Sequence, residues 1–242
     1  MLEQGAASTA SVLALGLIVG LRHAMEADHL AAVTAIVSER KSILGSSLVG
    51  GLWGLGHTLS LLAAGIAVLL LDFQIGERAG LALEFCVAIM LVGLGANAIR
   101  KLLAGGTLHT HEHRHGHHTH THPHVHGHDP EPYAHTHHGL RLDKKPLLVG
   151  MMHGLAGSGA VMLLVLSTIS SPVVGLIYIA LFGIGSIGGM LVMSALISLP
   201  AYFTASRFAR ANWAVRMLAG VFSIGIGLFM AYEISFIERL FG

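Results

Sequence analysis

Charged residues are scarce in this chain, and the shortage decides what class of protein it is. Asp, Glu, Lys and Arg make up 11% of the 242 residues, whereas an ordinary soluble domain has about 25%. Hydrophobic residues make up 53%, and the mean hydropathy is +0.70. This composition excludes a soluble globular fold and predicts a protein embedded in a lipid bilayer.

Cysteine is also nearly absent, and neither charge sign dominates. The single cysteine, Cys86, excludes an intramolecular disulfide and argues against thiolate metal chemistry. The formal net charge is +1, and no basic stripe runs along the sequence. Nucleic acid is therefore not an expected partner. The expected partner is the lipid bilayer.

Long apolar runs are what the chain has in place of charge. A transmembrane helix needs about 20 apolar residues, and six segments are long enough. They are residues 8–37, 44–71, 79–103, 146–169, 173–199 and 214–240. The fold class predicted from them is an all-α polytopic membrane protein with six transmembrane helices.

Basic residues divide unevenly between the two sides that six spans would create. Eleven lie on the side of the loops that follow spans one, three and five, and only Arg78 and Arg239 lie on the other side. Cytoplasmic loops carry an excess of Lys and Arg. The chain is therefore expected to cross the cell membrane with both termini outside and the loop between spans three and four in the cytoplasm.

Three short motifs recur in the same order in the two halves of the chain. GLRH at 20–23 parallels GMMH at 150–153, WGLGH at 53–57 parallels FGIGS at 182–186, and VGLG at 92–95 parallels IGIG at 224–227. Because each half holds three spans, the second half must enter the membrane from the opposite side. The sequence therefore predicts two inverted three-helix repeats, at 1–103 and 146–242, with a site near the midplane between them.

Only four histidines lie outside one histidine-rich segment, and all four are in apolar stretches: His23, His29, His57 and His153. Ionisable side chains inside a membrane helix are costly and by default mark a functional site. Imidazole nitrogens and carboxylate oxygens together suit divalent late first-row metals. These four histidines and Asp28 are the candidate metal ligands.

The spacing of the first motif requires either a distorted helix or a division of roles. In a straight helix, Asp28 and His29 would point about 140° and 240° away from His23, so the three side chains could not meet at one ion. Either the helix breaks near this motif, as Gly20 upstream would permit, or Asp28 orients a neighbouring histidine instead of binding metal.

Each remaining polar residue has a plainer alternative. His57 or His153 could simply hydrogen-bond neighbouring helices. Glu26 is expected to border the site. Glu84 and Glu233 lie towards the outer ends of their spans, and solvated carboxylates are the preferred interpretation for both.

The other fourteen histidines alternate with small polar residues in the loop at 104–145. Such a segment cannot build a core and is predicted to be disordered without metal. Neutral imidazoles bind Ni, Co, Zn and Cu with little selectivity. The predicted role is storage, buffering or hand-over of metal to cytoplasmic metal-delivery proteins.

Two strings support a family resemblance. RHAMEADH at 22–29 resembles the H-x4-D-H signature of the nickel/cobalt transporter family, and LGHT at 55–58 is similar to that family's second Gly-His motif. The resemblance covers the first two spans and implies secondary transport of Ni(II) or Co(II), with His23, Asp28 and His29 needed for selection and uptake.

Two features set the chain apart from the usual pattern of that family. Usual members have eight spans, whereas six predicted spans resemble the shorter, urease-accessory-like branch. Neither 150–159 nor 182–199 contains Asp or Glu, so the acidic motifs expected in later helices are missing. That departure leaves the metal preference and the direction of transport open.

The favoured interpretation is a permease that imports Ni(II), with Co(II) as a second substrate, for an enzyme such as urease or a hydrogenase. An exporter of the same architecture is the first alternative. A membrane metalloenzyme is the second, and the lack of an evident nucleophile or carboxylate pair argues against it. The metal is expected as cargo, with no permanently bound cofactor and no enzymatic activity.

Overall fold

The protein is built almost entirely from helices. The computed structural model describes residues 2–38, 40, 42–71, 76–104, 109–115, 118–124, 144–157, 169, 171–205 and 208–238. The α-helices there are α1 (Leu2–His23), α2 (Ala27–Val37), α3 (Ile43–Leu71), α4 (Glu77–Leu103), α5 (Lys145–Ala156), α6 (Pro172–Ala205) and α7 (Ala209–Tyr232). A π-helical turn, Glu233–Ile237, continues α7.

Apolar composition and length make most of these helices suitable for a bilayer. Within the described residues, α3, α4, α6 and α7 with its π-helical turn are long and apolar enough to cross a membrane, and the bent pair α1–α2 is a fifth candidate. A helix satisfies its backbone hydrogen bonds internally, which a spanning segment requires. The described part of the chain thus has four or five candidate spans.

The six-span prediction is not confirmed, and two segments account for the difference. The predicted first span is two helices, because the chain turns at Ala24–Glu26 and bends by 52°. The predicted fourth span begins as α5, but this helix has 12 residues, which is too short to cross a bilayer alone. Residues 158–168 of that prediction lie outside the described residues. The division into domains at 103 and 146 stays a prediction.

Glycines let two pairs of helices approach until their backbones touch. Gly20 of α1 lies against the backbone of Phe182 in α6, and Gly150 of α5 lies against the backbone of Trp53 in α3. A Cβ at either glycine would overlap a carbonyl oxygen. Such small residues allow close helix packing in membranes, where van der Waals contact replaces the hydrophobic effect as the driving force.

Glycines also allow close contact between the backbones of α4 and α7. A Cβ on Gly95 would lie 2.5 Å from the carbonyl oxygen of Gly220, and one on Gly227 would lie 2.7 Å from that of Ala88. Between these contacts the buried Ser223 donates a hydrogen bond to the carbonyl oxygen of Leu91, at 2.8 Å. Helix α2 packs mainly against α4, α6 and α7.

Burial follows the contacts between helices and leaves the outside of the bundle apolar. Trp53 and Leu91 are fully buried in one core cluster, and Ile179 in a second. Large apolar side chains such as Leu44 (70% exposed) and Phe229 (62% exposed) point outward. A soluble protein rarely exposes so much apolar surface, so this pattern indicates a lipid-facing exterior.

Part of the histidine-rich segment has regular structure where the sequence predicted disorder. Strands β1 (His109–His115) and β2 (His118–His124) pair antiparallel, with His111 opposite His122. His occupies every second position of both strands, and the β-branched Thr lies between histidines once in β1 and twice in β2, which favours an extended backbone. Residues 105–108, 116–117 and 125–143 lie outside the described residues.

Candidate metal centre

The break between α1 and α2 creates the first half of the site. Helix α1 ends at His23, and the backbone N–H groups of Met25 and Glu26 bond to the carbonyls of Arg22 and His23 at 2.9 and 3.0 Å. Helix α2 then starts in a new direction. The ring centroids of His23 and His29 are therefore only 4.4 Å apart. The break, which the sequence offered as one of two solutions, is present.

Asp28 connects two histidines from the first turn of α2. Its Oδ1 accepts a hydrogen bond from the backbone N–H of His29 at 2.8 Å and lies 3.0 Å from Nδ1 of the same residue. Its Oδ2 lies 2.8 Å from Nε2 of His153 on α5. A carboxylate accepts, so both rings donate to it. Asp28 therefore holds the orientation of both imidazoles, as carboxylates near metal-binding histidines commonly do.

The close contact of α3 with α5 brings the remaining two histidines to the same place. A Cβ on Gly154 would lie 2.8 Å from Cα of His57, so the helices meet directly beside the site. The ring centroid of His29 is 5.3 Å from that of His57 and 4.1 Å from that of His153. All five residues predicted from the sequence thus lie in one cluster between four helices.

Several ring nitrogens in this cluster have no hydrogen-bond partner. They are Nε2 of His29, both ring nitrogens of His57 and Nδ1 of His153. His57 is 1% exposed, so its ring is shielded from bulk solvent. The alternative that His57 merely hydrogen-bonds a neighbouring helix finds no support in the described residues. Buried polar atoms are normally paired, and unpaired imidazole nitrogens that lie close together suit a metal ion.

Two sets of three side chains meet the distance requirement for holding one ion. Ligand atoms of His23, His29 and His57 lie within 4.8 Å of one another, and so do those of Asp28, His29 and His153.

Two aromatic side chains form the walls beside the rings. Trp53 stacks on His29 with ring centroids 5.5 Å apart and planes 12° apart. Phe182 lies 5.2 Å from His23. These two aromatics are also the residues whose backbones contact Gly150 and Gly20. Trp53 therefore lies beside the ring of His29 and contacts the helix that carries His153, and Phe182 lies beside the ring of His23 and contacts the helix that carries it.

A cavity of about 390 Å³ leads to the cluster. Its polar lining consists of His23, Glu26, Asp28, His29, Glu84 and His153. Glu26 lies 2.9 Å from Nδ1 of His23 and is half exposed. Three carboxylates therefore face a space that ends at the histidines, and such a cleft attracts cations.

Glu84 is the site residue that sequence reasoning missed. It was interpreted as a solvated carboxylate near a span end, but it lines this cavity and interacts electrostatically with Asp28, Glu233 and Glu238. Its position inside an apolar segment was the available signal, since an ionisable residue there marks a function by default. The sequence could not show that α4 faces the histidines.

Comparison with known proteins points the same way. The chain is 38% identical over 236 residues to the urease accessory protein UreH of Bacillus sp. (strain TB-90), and the similarity covers 96% of this chain and 95% of that protein. No protein-family model and no solved structure matches the chain. A relative of this similarity over nearly the whole length shows the family. The chain belongs to the nickel/cobalt transporter family, in the branch of the urease accessory protein UreH.

Proposed function

We propose that this protein is a secondary transporter that carries Ni(II), and Co(II) as a second substrate, inward across the cell membrane. The observation that carries the proposal is the convergence of three buried histidines, the partly exposed His23 and one aspartate, from four helices, with ring nitrogens of the buried histidines left unpaired. The relative is named an accessory protein of urease. An imported metal ion would serve an enzyme such as urease.

The ligand set supports a late first-row metal. Imidazole suits Ni, Co, Cu and Zn, whereas Mg and Ca prefer sites made only of oxygen ligands. Among the described residues, the sets that can hold an ion each include at least two imidazoles. With Cys86 exposed on α4, no thiolate joins them. The site therefore favours Ni(II) or Co(II) over the hard divalent cations.

Reciprocal contacts support the inverted repeat. Gly20 contacts Phe182, and Gly150 contacts Trp53. Gly150 is the counterpart of Gly20 at an offset of 130, and Phe182 is the counterpart of Trp53 at an offset of 129. The second contact is therefore the first one with the two halves exchanged. Gly95 contacts Gly220 and Gly227 contacts Ala88, and an offset of 132 relates these two contacts in the same way. Exchange of this kind is what a two-fold axis between halves produces. Six spans would follow if α5 and the residues after it complete the fourth.

The charge distribution supports inward transport. The cavity that leads to the histidines is lined by Glu26, Asp28 and Glu84. A second cavity, of about 340 Å³, is lined by Arg40, Lys101 and Lys145, on the side that the positive-inside rule assigns to the cytoplasm. A divalent cation is attracted to the acidic cavity and repelled from the basic one.

Nickel flux into liposomes tests the proposal. The purified protein is reconstituted, radioactive Ni(II) is supplied outside, and initial uptake is measured alone and with Co(II), Zn(II) or Mn(II) in excess. We expect saturable uptake that Co(II) inhibits and Mn(II) does not. His29→Phe should abolish it, because His29 belongs to both ligand sets.

Control measurements separate the alternatives. Gly93→Ala, at an open position on α4, should transport like the wild type. In cells, expression of an importer raises the nickel content and expression of an exporter lowers it. A fall in cellular nickel would favour the exporter, for which the histidine-rich segment would collect the ion. Metal-dependent turnover of a lipid or peptide without flux would favour the enzyme.

Topology is measured separately with reporter fusions. A reporter after Gly242 is expected outside, and one inserted near His120 is expected in the cytoplasm. If both report the same side, the six-span inverted arrangement is wrong.

A further inference from the structure

The two ligand sets of the site overlap at a single residue, His29. We propose that they are two successive positions for one ion, and that the ion passes between them through His29. The outer position is formed by Asp28, His29 and His153, and the inner position by His23, His29 and His57. This inference rests on the proposed function and deepens it by giving the ion a route through the site.

Access distinguishes the two positions. Asp28, His29 and His153 all line the acidic cavity, as does His23 of the inner position, whereas His57 does not. His57 is 1% exposed, and its ring centroid lies 5.2 Å from that of His23 and 5.3 Å from that of His29. An ion in the cavity therefore has direct access to the complete outer set, and it completes the inner set only on contact with the buried His57.

The chemistry of His29 allows only one ion at a time. Nδ1 of His29 faces Asp28 at 3.0 Å, while Nε2 is buried without a partner. A neutral imidazole has one ring nitrogen with a free lone pair, so the ring can bind at either nitrogen but not at both. Two divalent ions on opposite sides of one ring would also repel each other strongly. His29 therefore acts as a shared ligand.

Asp28 changes its role as the ion moves. In the arrangement seen here, both carboxylate oxygens accept hydrogen bonds from histidines, and Nε2 of His29 is buried with its lone pair free. Nε2 of His29 is then available to an ion in the inner position. With the ion in the outer position, the carboxylate is a ligand instead. Return of the hydrogen bonds to Asp28 favours release of the ion from the outer position.

A single site that uses all five residues is the competing arrangement. With metal–nitrogen bonds of about 2.1 Å, ligand atoms on opposite sides of one ion are about 4.2 Å apart. In the arrangement seen here, within the described residues, only the two triples come within 4.8 Å. One ion could bind all five ligands only if side chains of the two triples turned towards a common centre.

The test uses the full chain in lipid nanodiscs, with the fourteen histidines between 109 and 138 replaced by Asn so that they do not bind the probe. Into this background go His57→Phe and His153→Phe, which each keep a ring and remove its nitrogens. Calorimetry with Ni(II) gives the stoichiometry and affinity, and X-ray absorption gives the number of imidazoles on the bound ion. Thermal unfolding checks that both variants fold.

We expect one Ni(II) per protein in the background chain and in each single variant. His57→Phe should leave two imidazoles and a carboxylate on the ion, and His153→Phe should leave three imidazoles. Each variant should lose less than the roughly 10-fold in affinity that removal of even an orienting partner costs, while the double variant loses binding. Flux should fall with His57→Phe, because the ion then has no inner position.

Two outcomes would overturn the proposal. A stoichiometry of two would mean independent sites. Identical spectra for the single variants, each with three imidazoles and a carboxylate and each with much weaker binding, would mean one five-ligand site. A wild-type protein that binds Ni(II) but carries none into liposomes contradicts the proposed function, and the spectra still decide between two positions and one.

Discussion

Replacing Gly20 by Ala tests whether the site depends on direct contact between backbones. Gly20 lies three residues before His23, and an added Cβ would overlap the carbonyl oxygen of Phe182 and lie 2.7 Å from its carbonyl carbon and 2.9 Å from its Cα. Backbone atoms cannot rotate away as a side chain can. Helix α1 must therefore move relative to α6, and His23 moves with it.

The expected magnitude follows from two opposing effects. Overpacking of a well-packed core costs about 1–3 kcal/mol, and replacing a glycine inside a helix by alanine gains about 0.5–1 kcal/mol. The net destabilisation of about 0–2.5 kcal/mol should lower the midpoint of thermal unfolding by up to about 10 °C in a chain of this size. Because a displacement of about 1 Å can cost about 100-fold in a positioned site, nickel flux should fall further than the stability suggests.

Matched glycines provide the control. Gly93 on α4 and Gly225 on α7 have nothing within 4 Å of a Cβ, so alanine there should leave the unfolding midpoint and the flux unchanged or slightly improved. Gly150→Ala, which contacts Trp53 in the same way, should behave like Gly20→Ala. If Gly20→Ala matches Gly93→Ala in both measurements, α1 and α6 do not meet as described.

Four further predictions concern the ion and its access. Glu84→Gln should raise the KM for nickel flux several-fold with little change in the maximal rate, and the difference should shrink at high salt as screening takes over; an unchanged KM would remove Glu84 from the route. Asp28→Asn should weaken Ni(II) binding about 10- to 100-fold, measured by calorimetry, and equal binding would deny it both roles. Binding should weaken as the pH is lowered, because protons compete for the imidazole lone pairs; a titration that is flat from neutral to mildly acidic pH would speak against histidine ligands. Removing residues 108–139 should alter nickel retention in cells and leave the flux into liposomes measurable, and complete loss of flux would place the transport site in that segment.

The sequence was a good guide to helix positions because apolar runs and bilayer length constrain them strongly. The predicted spans at 44–71 and 79–103 agree with α3 (Ile43–Leu71) and α4 (Glu77–Leu103) to within two residues. The break after His23 was harder to place, because residues 8–37 are apolar on both sides of it. Only the need for His23 and His29 to converge indicated a distortion.

The candidate ligands could be selected from sequence because ionisable residues stand out in apolar segments. The contacts between helices could not be predicted from the sequence in that way. Periodicity describes one helix at a time, so the approach of α5 to α3 and the position of Glu84 opposite the histidines depend on contacts that no local pattern encodes. The sequence contains the glycines that permit these contacts, but it also contains glycines with no neighbour close to the Cβ position, such as Gly93. It therefore does not show which glycines allow two helices to meet.

The two halves of the proposed repeat contribute unequal numbers of candidate ligands to the site. Under an offset of 130, the counterpart of His23 is His153, which takes part in the cluster. The counterpart of His57, at an offset of 129, is Ser186, which is buried on α6 and has no hydrogen-bond partner for its hydroxyl among the described residues. One half thus supplies four of the five candidate ligands, and the other supplies His153. Any motion of the halves against each other would separate His153 from Asp28 while leaving the other histidines together, which is the change that moving an ion from the outer to the inner position requires.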